Sequence, residues 1–555
     1  MRIGLIGINK YAKFLNFACD LHAYAFQQFL SQNGYDATFL DYKPVYYGKF
    51  DMRHPAPVAE KKYRDAVVKK ADTATLQKLA DLAVGYRSVE VERERRFDKF
   101  EAFANKHMKF TEEKYDSDLL EVEDPGFDCY ICVTDVIWQS LPRHNFDRGF
   151  MLGSKAFEGK QKIAYAASRG ASKDFSEKQE KMFFQYLEDI DTITVRERDF
   201  GEYIEKNSEL EAPLVLDPVL LHDRKFWENV AEKPKEEKYV ALYYVMERAS
   251  DTIDKAVEYA KLHDLAIVEL SDRPLKHGKI TDPDVKHVSR YDVGMEEWLG
   301  YLANAEVVFT NSFHGCCFSL LFGTPFYAGQ RNGQKVPNFL RTFGLDSLRF
   351  GPNTDVHSFS TDLDFTEAYQ ILDQLKAEST DFILGAIRDA ERRFNEGGEP
   401  DTSAHELRRR ELNYPIHFNS AGQRDGLTFS NGEPDEAEVR RLSSGSVEYI
   451  YSGKKYGNDG SAVVEAPLFE LSEHSFEGWT LRFRIDNRWF WLKKDGSVAA
   501  SSAGEGVSEE EKAVLSAGSA IPHLPVNHID VVVLVAQWKA LKEPRTGLAS
   551  LFRRR

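Results

Sequence analysis

Short apolar runs alternate with amphipathic stretches through the first 395 or so residues. Residues 1–8 read as a strand, Asp20 to Asn33 as a helix closed by Gly34, and Ala37–Tyr42 as a second strand ended by Pro44. This β-α-β opening has a connection long enough for a parallel crossover. From Val58 to Phe110 the pattern is helical and heavily charged, and the run Glu90 to Arg96 reads as a solvated helix face. Strand signals return at Cys129–Val133, Lys162–Ala166, Thr192–Val195 and Leu214–Leu216, with a helix over Ser176 to Leu187. After the charged stretch Glu232–Lys238, which suits a hinge, a second series begins. It has strand Tyr239–Tyr244, helix Thr252–His263, strand Ala266–Leu270, helix Met295–Ala303, strand Val307–Thr310 and helix Cys316–Phe322, and Asp364 to Phe394 closes it. Alternation of this kind predicts parallel sheets covered by helices, in two α/β domains at 1–230 and 236–396 that face a cleft.

The pattern changes after residue 396. Residues 397–445 are polar and irregular and read as a linker. Residues 446–540 alternate or run apolar at Val447–Tyr451, Thr480–Ile485, Trp489–Leu492 and Val531–Val535, which predicts a small, mainly β domain of unknown role. Trp479, Trp489 and Trp491 could form a carbohydrate platform there, although core packing is the preferred reading. Residues 541–555 form a basic tail. Its end, Leu551-Phe552-Arg553-Arg554-Arg555, could touch an anionic membrane surface, with a solvated tail preferred.

A net charge of −16 over 555 residues argues against nucleic acid as a partner and leaves room for a local basic pocket. The five cysteines are too few for a disulfide framework, and Cys129-x-x-Cys132 falls in a buried strand, so core packing explains it. No window approaches a membrane span and the N-terminus reads as a strand rather than a leader, so a cytoplasmic location is expected. There is no phosphate-loop motif, no dinucleotide fingerprint and no His/Cys spacing that suits a metal.

Chemistry concentrates at strand ends. In Val307–Thr310, Asn311, Ser312, Phe313, His314 and Gly315, an apolar strand runs into a polar turn and a helix. That places an imidazole beside the open N–H groups of a helix N-terminus, a place that holds anions. His314 is therefore a candidate acid with Ser312, Phe313 and Gly315 around the ligand, against the alternative of a core histidine. Arg196 and Arg198 follow the strand at Thr194 and suit a phosphate or carboxylate, against a surface salt bridge with Glu197. Asp135 and Trp138 follow another strand: Asp135 is a helix cap, a sugar contact or a base, and Trp138 a core residue or a stacking platform. Ser168 and Arg169 end a further strand on the same rim, while Leu216-Asp217-Pro218 reads mainly as structural.

These blocks, in this order, resemble the polysaccharide pyruvyl transferases over about residues 1–395. The family's late block of Ser or Arg, then Phe or Leu, then His-Gly matches Ser312-Phe313-His314-Gly315 through Pro325-Phe326. Its Ser-Val-Arg-Glu, Leu-Asp-Pro and Tyr-Ala-Ala-Ser-x-Gly blocks match Thr194–Glu197, Leu216–Pro218 and Tyr165–Gly170. The resemblance implies two Rossmann-like domains in a GT-B-like arrangement. It also implies phosphoenolpyruvate as donor, a sugar or lipid-linked saccharide as acceptor, and a cyclic ketal product in surface polysaccharide biosynthesis, with no cofactor or metal. His314 would be the acid and Asp135 a base, with Arg196, Arg198, Ser168 and Arg331 available to hold substrate. The second domain would take the donor and the first the acceptor, with the enzyme in the cytoplasm, at the inner face of the membrane if the acceptor is lipid-linked.

The chain departs from the family in places. The early Asn-Tyr-Gly-Ala-x-Leu-Gln block appears as Asn16-Phe17-Ala18-Cys19-Asp20-Leu21-His22, and Gly-Ser-Asp-Gln-x-Trp as Val133-Thr134-Asp135-Val136-Ile137-Trp138. Ser312 stands where some members carry arginine. Two other readings stay open: a glycosyltransferase that uses a nucleotide sugar, and a sugar-binding member without activity.

Overall fold

In the computed structural model, the described residues are 1–397 apart from 9–14, 45–46, 48–50, 118, 122, 141–145, 171–174, 246–249, 272–279, 281 and 330–332. Beyond 397 they are the strands given below and short stretches beside them. Arg331, the basic tail 541–555 and much of 397–445 lie outside the described residues.

The first sheet is built from β1 (Ile3–Gly7), β2 (Ala37–Tyr42), β3 (Phe110–Tyr115), β4 (Cys129–Val133), β5 (Gln161–Ala167) and β6 (Thr192–Val195). Helix α1 (Phe17–Gln32) joins β1 to β2, and α2 (Ala56–Val68), α3 (Thr73–Ser88) and α4 (Glu90–His107) join β2 to β3. Helix α5 (Glu177–Leu187) precedes β6 and α6 (Arg198–Asn207) follows it. All strands pair in parallel in the order β3-β2-β1-β4-β5-β6. This is the Rossmann order, and it reverses direction between β1 and β4. Strands β1 and β4 are buried at every position, as central strands covered on both faces must be.

The second sheet comprises β7 (Tyr239–Tyr244), β8 (Ala266–Ser271), β9 (His287–Ser289), β10 (Val307–Thr310) and β11 (Phe326–Ala328), in the parallel order β11-β10-β7-β8-β9. It reverses between β7 and β10. A short helix, α7 (Arg224–Glu228), precedes it. Around it lie α8 (Ser250–His263), α9 (Met295–Ala303), α10 (Phe313–Phe322) and α11 (Lys335–Thr342), and the long α12 (Thr366–Glu396) closes the unit. Two Rossmann-like halves thus meet with the carboxyl ends of their strands toward one another. They share one continuous apolar core within the compact unit Met1–Asp401.

Helix α4 binds the halves together and corrects one sequence expectation. The run Glu90 to Arg96 is not a solvated face, since Arg93 and Arg96 are fully buried. Arg96 donates from Nη1 to the carbonyls of Ser271 (2.6 Å) and Tyr291 (3.2 Å), and from Nη2 to that of Leu15 (2.7 Å). Its guanidinium lies over the rings of Phe17, Phe100 and Tyr291. Lys99 adds a bridge to Glu297 at 2.7 Å. A planar fork on an aromatic bed can satisfy several carbonyls at once, so arginine is tolerated where burial would exclude a lysine.

Other differences follow from edge positions. β3 is strand although Thr111-Glu112-Glu113-Lys114 looks polar, because it is the sheet edge and its middle is exposed. The predicted strand Leu214–Leu216 is a single bridge from Leu214 to Val195. Trp138 is wholly buried and donates to the Phe150 carbonyl at 3.3 Å, so it is core.

The second unit, Thr402–Arg555, is antiparallel. Its larger sheet centres on Val447–Tyr451, Val531–Ala540, His474–Ile485 and Arg488–Leu492. Four strands, among them Ala437–Arg441, lie inside 397–445, the stretch that composition reads as a linker. Trp479 is fully buried, whereas Trp489 and Trp491 are half-buried with the Arg482 guanidinium 4.9 and 5.7 Å from their ring centres. Among the described residues, no helix is long and apolar enough to cross a membrane.

Candidate active site

The turn after β10 is held by its own side chains. Thr310 Oγ1 accepts from the Ser312 N–H at 3.0 Å, and Asn311 Oδ1 accepts from the Val245 N–H at 2.9 Å. Ser312 caps α10 by accepting from the Gly315 N–H at 3.3 Å, and Gly323, at φ 68°, ends the helix in the left-handed region. Gly315 is required by space: a Cβ there would sit 2.4 Å from Thr310 Oγ1. The close packing fixes His314 in the first turn of α10, buried, with Phe313 half-buried beside it.

His314 Nε2 lies 3.3 Å from Asp217 Oδ2. The same oxygen accepts from Arg196 Nη1 at 2.6 Å. Arg196 Nη2 is bonded to Asp135, its Nε reaches Glu197 at 3.4 Å, and its guanidinium lies 4.8 Å from the Phe313 ring centre. Lys335, at the start of α11, donates to Asp135 Oδ1 at 2.8 Å and stands 3.8 Å from Glu197. Ser168 is fully buried; its hydroxyl donates to Glu197 at 3.0 Å and accepts from the Gly170 N–H. Asp135, Ser168, Arg196 and His314 follow the carboxyl ends of β4, β5, β6 and β10, where open α/β sheets collect ligands.

Three carboxylates therefore surround two fixed cations. Burial alone would raise Asp217, but His314 and Arg196 more than offset it and hold the carboxyl well below its ordinary range. Burial opposes the charge on Asp135 in the same way, and Arg196 and Lys335 keep it ionised. Burial also works against Arg196, and Asp135, Glu197 and Asp217 raise it well above its usual value. The sequence suits Arg196 to a free anion or to a surface salt bridge with Glu197. Its fork is instead occupied by protein carboxylates, and its pairing with Glu197 is buried rather than at the surface.

Beside the cluster opens a small recess, with room of about 50 Å³. Arg196, Glu197, Asp217 and Lys335 form its polar wall, and Leu216, Leu220, Phe339 and Phe343 its apolar side. Arg198 is exposed and lines the same recess, as does Phe313. Asp217 and Lys335 join this cluster, and neither is among the site residues that the sequence suggests. Asp217 does cap the turn at Pro218, accepting from the Val219 N–H at 3.2 Å, so the structural reading captured only one of its two oxygens. Lys335 had no signal, because it reaches Asp135 across 200 positions of sequence.

Solved structures that the chain matches include the UDP-GlcNAc 2-epimerase of Methanocaldococcus jannaschii, with 12% identity and TM-score 0.30 over 68% of this chain and all of that one. The UDP-N-acetylglucosamine 2-epimerase of Rickettsia bellii has 10% identity and TM-score 0.34 over 69% of this chain and 97% of that one. The spinosyn rhamnosyltransferase SpnG has 11% identity and TM-score 0.31 over 74% and 99%. No curated protein sequence matches the chain. The family model for polysaccharide pyruvyl transferase matches residues 19–328, more than half of the 555, and spans the cluster from α1 through β11 apart from Lys335. With His314, Asp217 and Arg196 all inside that match, the chain belongs to the polysaccharide pyruvyl transferase family.

Proposed function

We propose that the chain moves the pyruvyl group of phosphoenolpyruvate onto two hydroxyls of a sugar, making a cyclic ketal in surface polysaccharide biosynthesis. The observation that carries this reading is the buried line His314–Asp217–Arg196 at the meeting of the two sheets, in a chain of this family. Asp217 orients the imidazole through the 3.3 Å contact with Nε2, and we assign to His314 the delivery of a proton to the methylene carbon. One sugar hydroxyl then bonds to the central carbon. The second displaces phosphate by cleavage of the carbon–oxygen bond. Two hydroxyl protons leave the acceptor; one ends on the new methyl group and the other departs with phosphate. To Asp135, beside Arg196 and Lys335, we assign acceptance of a hydroxyl proton.

The donor's anionic groups are assigned to the N-terminus of α10, with Ser312 and Gly315, and to Lys335 and Arg198 at the recess. Arg196 acts as the strut that sets Asp135 and Asp217 at the right separation. The donor belongs to the second half and the acceptor to the first. The enzyme works in the cytoplasm, beside the membrane when its saccharide is lipid-linked. The test is phosphate release from phosphoenolpyruvate against a panel of lipid-linked, nucleotide and simple sugars. Acceptor-dependent release that His314→Ala abolishes supports the reading. Release unaffected by that change removes His314 from its role, and no release with any acceptor removes the reaction.

A further inference from the structure

His22 lies on the second turn of α1, which follows β1, and Asp135 follows β4. β1 and β4 are the neighbours at which the first sheet reverses direction, so both residues flank the crevice such a sheet offers to a ligand. His22 is 1% exposed, and neither ring nitrogen has a hydrogen-bond partner among the described residues. Its ring centre is 6.2 Å from that of His314. Burial lowers its pKa to about 4, with Asp217, Asp135, His314 and Arg196 all close enough to act on it. Near neutral pH the ring therefore carries one donor and one acceptor, both inside the protein and both unmatched among the described residues. Leaving such groups unmatched is costly, so buried polar groups ordinarily have partners.

The chemistry of the neighbourhood narrows what that partner is. An anion offers only acceptors and would use one nitrogen of a neutral imidazole. It would also meet Asp135, Asp217 and Glu197, three carboxylates against the two fixed cations Arg196 and Lys335. A hydroxyl carries no charge and, able to donate or to accept, can pair with whichever ring nitrogen faces it, the protonated or the bare one. We propose that His22 is an acceptor-binding residue whose imidazole takes one of the two sugar hydroxyls that become ketal oxygens. This assignment rests on the reaction proposed above. It gives the diol one polar contact at His22 and the other at Asp135, on opposite sides of the switch point in the first sheet. The chain's histidine, at the position where the resemblance expects glutamine, keeps a donor and an acceptor at that place.

The experiment compares wild type, His22→Ala and His22→Gln as full-length chains. Binding of phosphoenolpyruvate alone, and of a panel of methyl hexosides alone, is measured by calorimetry, with thermal melting as the check on folding. Glutamine keeps the donor–acceptor pair and serves as the folded control should the alanine variant melt early. The expected result is that His22→Ala weakens hexoside binding at least tenfold and His22→Gln restores most of it. Phosphoenolpyruvate affinity stays within twofold in both variants. Unchanged hexoside binding in folded His22→Ala overturns the assignment, as does an equal loss for phosphoenolpyruvate. Wild type that binds no hexoside overturns it too, whereas wild type that binds a hexoside but not phosphoenolpyruvate sinks the donor half of the reaction and leaves His22 in place.

Discussion

His314 Nε2 stands 3.3 Å from Asp217 Oδ2, joining the first turn of α10 to a carboxylate 97 residues earlier in the chain. This contact ties the second sheet's strand-end turn to the first half, and it gives the imidazole a buried anion. Replacing Asp217 by asparagine keeps the shape and removes the charge. The expected result is a fall in kcat for phosphate release of roughly 10²–10⁴, the range spanned by acid–base assistance. Near-wild-type kcat with an intact near-ultraviolet circular dichroism spectrum would show that the imidazole needs no anion.

Arg196 holds three carboxylates from three different directions. A lysine places one charge where the fork supplies several donors, so Arg196→Lys cannot remake the set. Removing one partner of a buried ion pair costs about 3–5 kcal/mol, because the remaining charges lose their counterion. Urea titration of Arg196→Ala should show a loss of that size, with Arg196→Lys recovering less than half. A loss below 1 kcal/mol in the alanine variant would mean that water screens the cluster.

The inner strands of both sheets were legible because each is a short apolar run and a covered parallel strand needs little else. β1, β4, β7 and β10 carry that signal. The edge strands β3, β9 and β11 escaped: β3 and β9 carry polar residues, as an edge strand can, and β11 is only three residues long. The site was legible only in part. His314 and Arg196 stand at strand ends, which local pattern can mark. Lys335 and the idle nitrogens of His22 are defined by partners far away in sequence or by their absence, and no local pattern records either. The buried arginines of α4 were hidden for a related reason: a charged run predicts solvent unless the carbonyls that will receive it are known.

That burial makes Arg96 a stability residue rather than a surface one. Its loss would leave the carbonyls of Leu15 and Ser271 short of a donor and empty the space over Phe17. Each buried group left unsatisfied costs about 1–3 kcal/mol, so Arg96→Ala should lower unfolding free energy by roughly 3 kcal/mol or more. The neighbouring exposed Arg95→Ala serves as the control and should change it by less than about 0.5 kcal/mol. Equal effects in the two variants would contradict the buried placement.

Gly315 tests whether the turn at His314 must be held tightly. An added methyl would meet Thr310 Oγ1 at 2.4 Å and the Tyr243 ring at 3.1 Å. Gly315→Ala should therefore push α10 away from β10, with an overpacking penalty of about 1–3 kcal/mol. Because His314 precedes it, phosphate release should fall more than tenfold in protein that remains folded at the assay temperature. Full activity in that variant would show that the reaction tolerates movement of the helix end.

Two buried histidines set the acid response of the fold. Burial lowers His22 and His222 from 6.5 to about 4, and His222 Nε2 lies 2.8 Å from the Ala25 carbonyl, which suits a neutral ring that donates. Between those pH values the unfolded chain binds protons that the folded chain refuses. Stability is therefore complete above pH 6.5 and falls as pH drops toward 4, by about 2 kcal/mol per histidine at pH 5. Asp217 and Asp135 leave this window untouched, since carboxyls held below their ordinary value lose their contribution only as they protonate at still lower pH. Denaturant midpoints from pH 7 to pH 5 should fall steeply in wild type and about half as steeply in His22→Gln. A slope unchanged by that substitution would mean that His22 is already solvated in the folded protein.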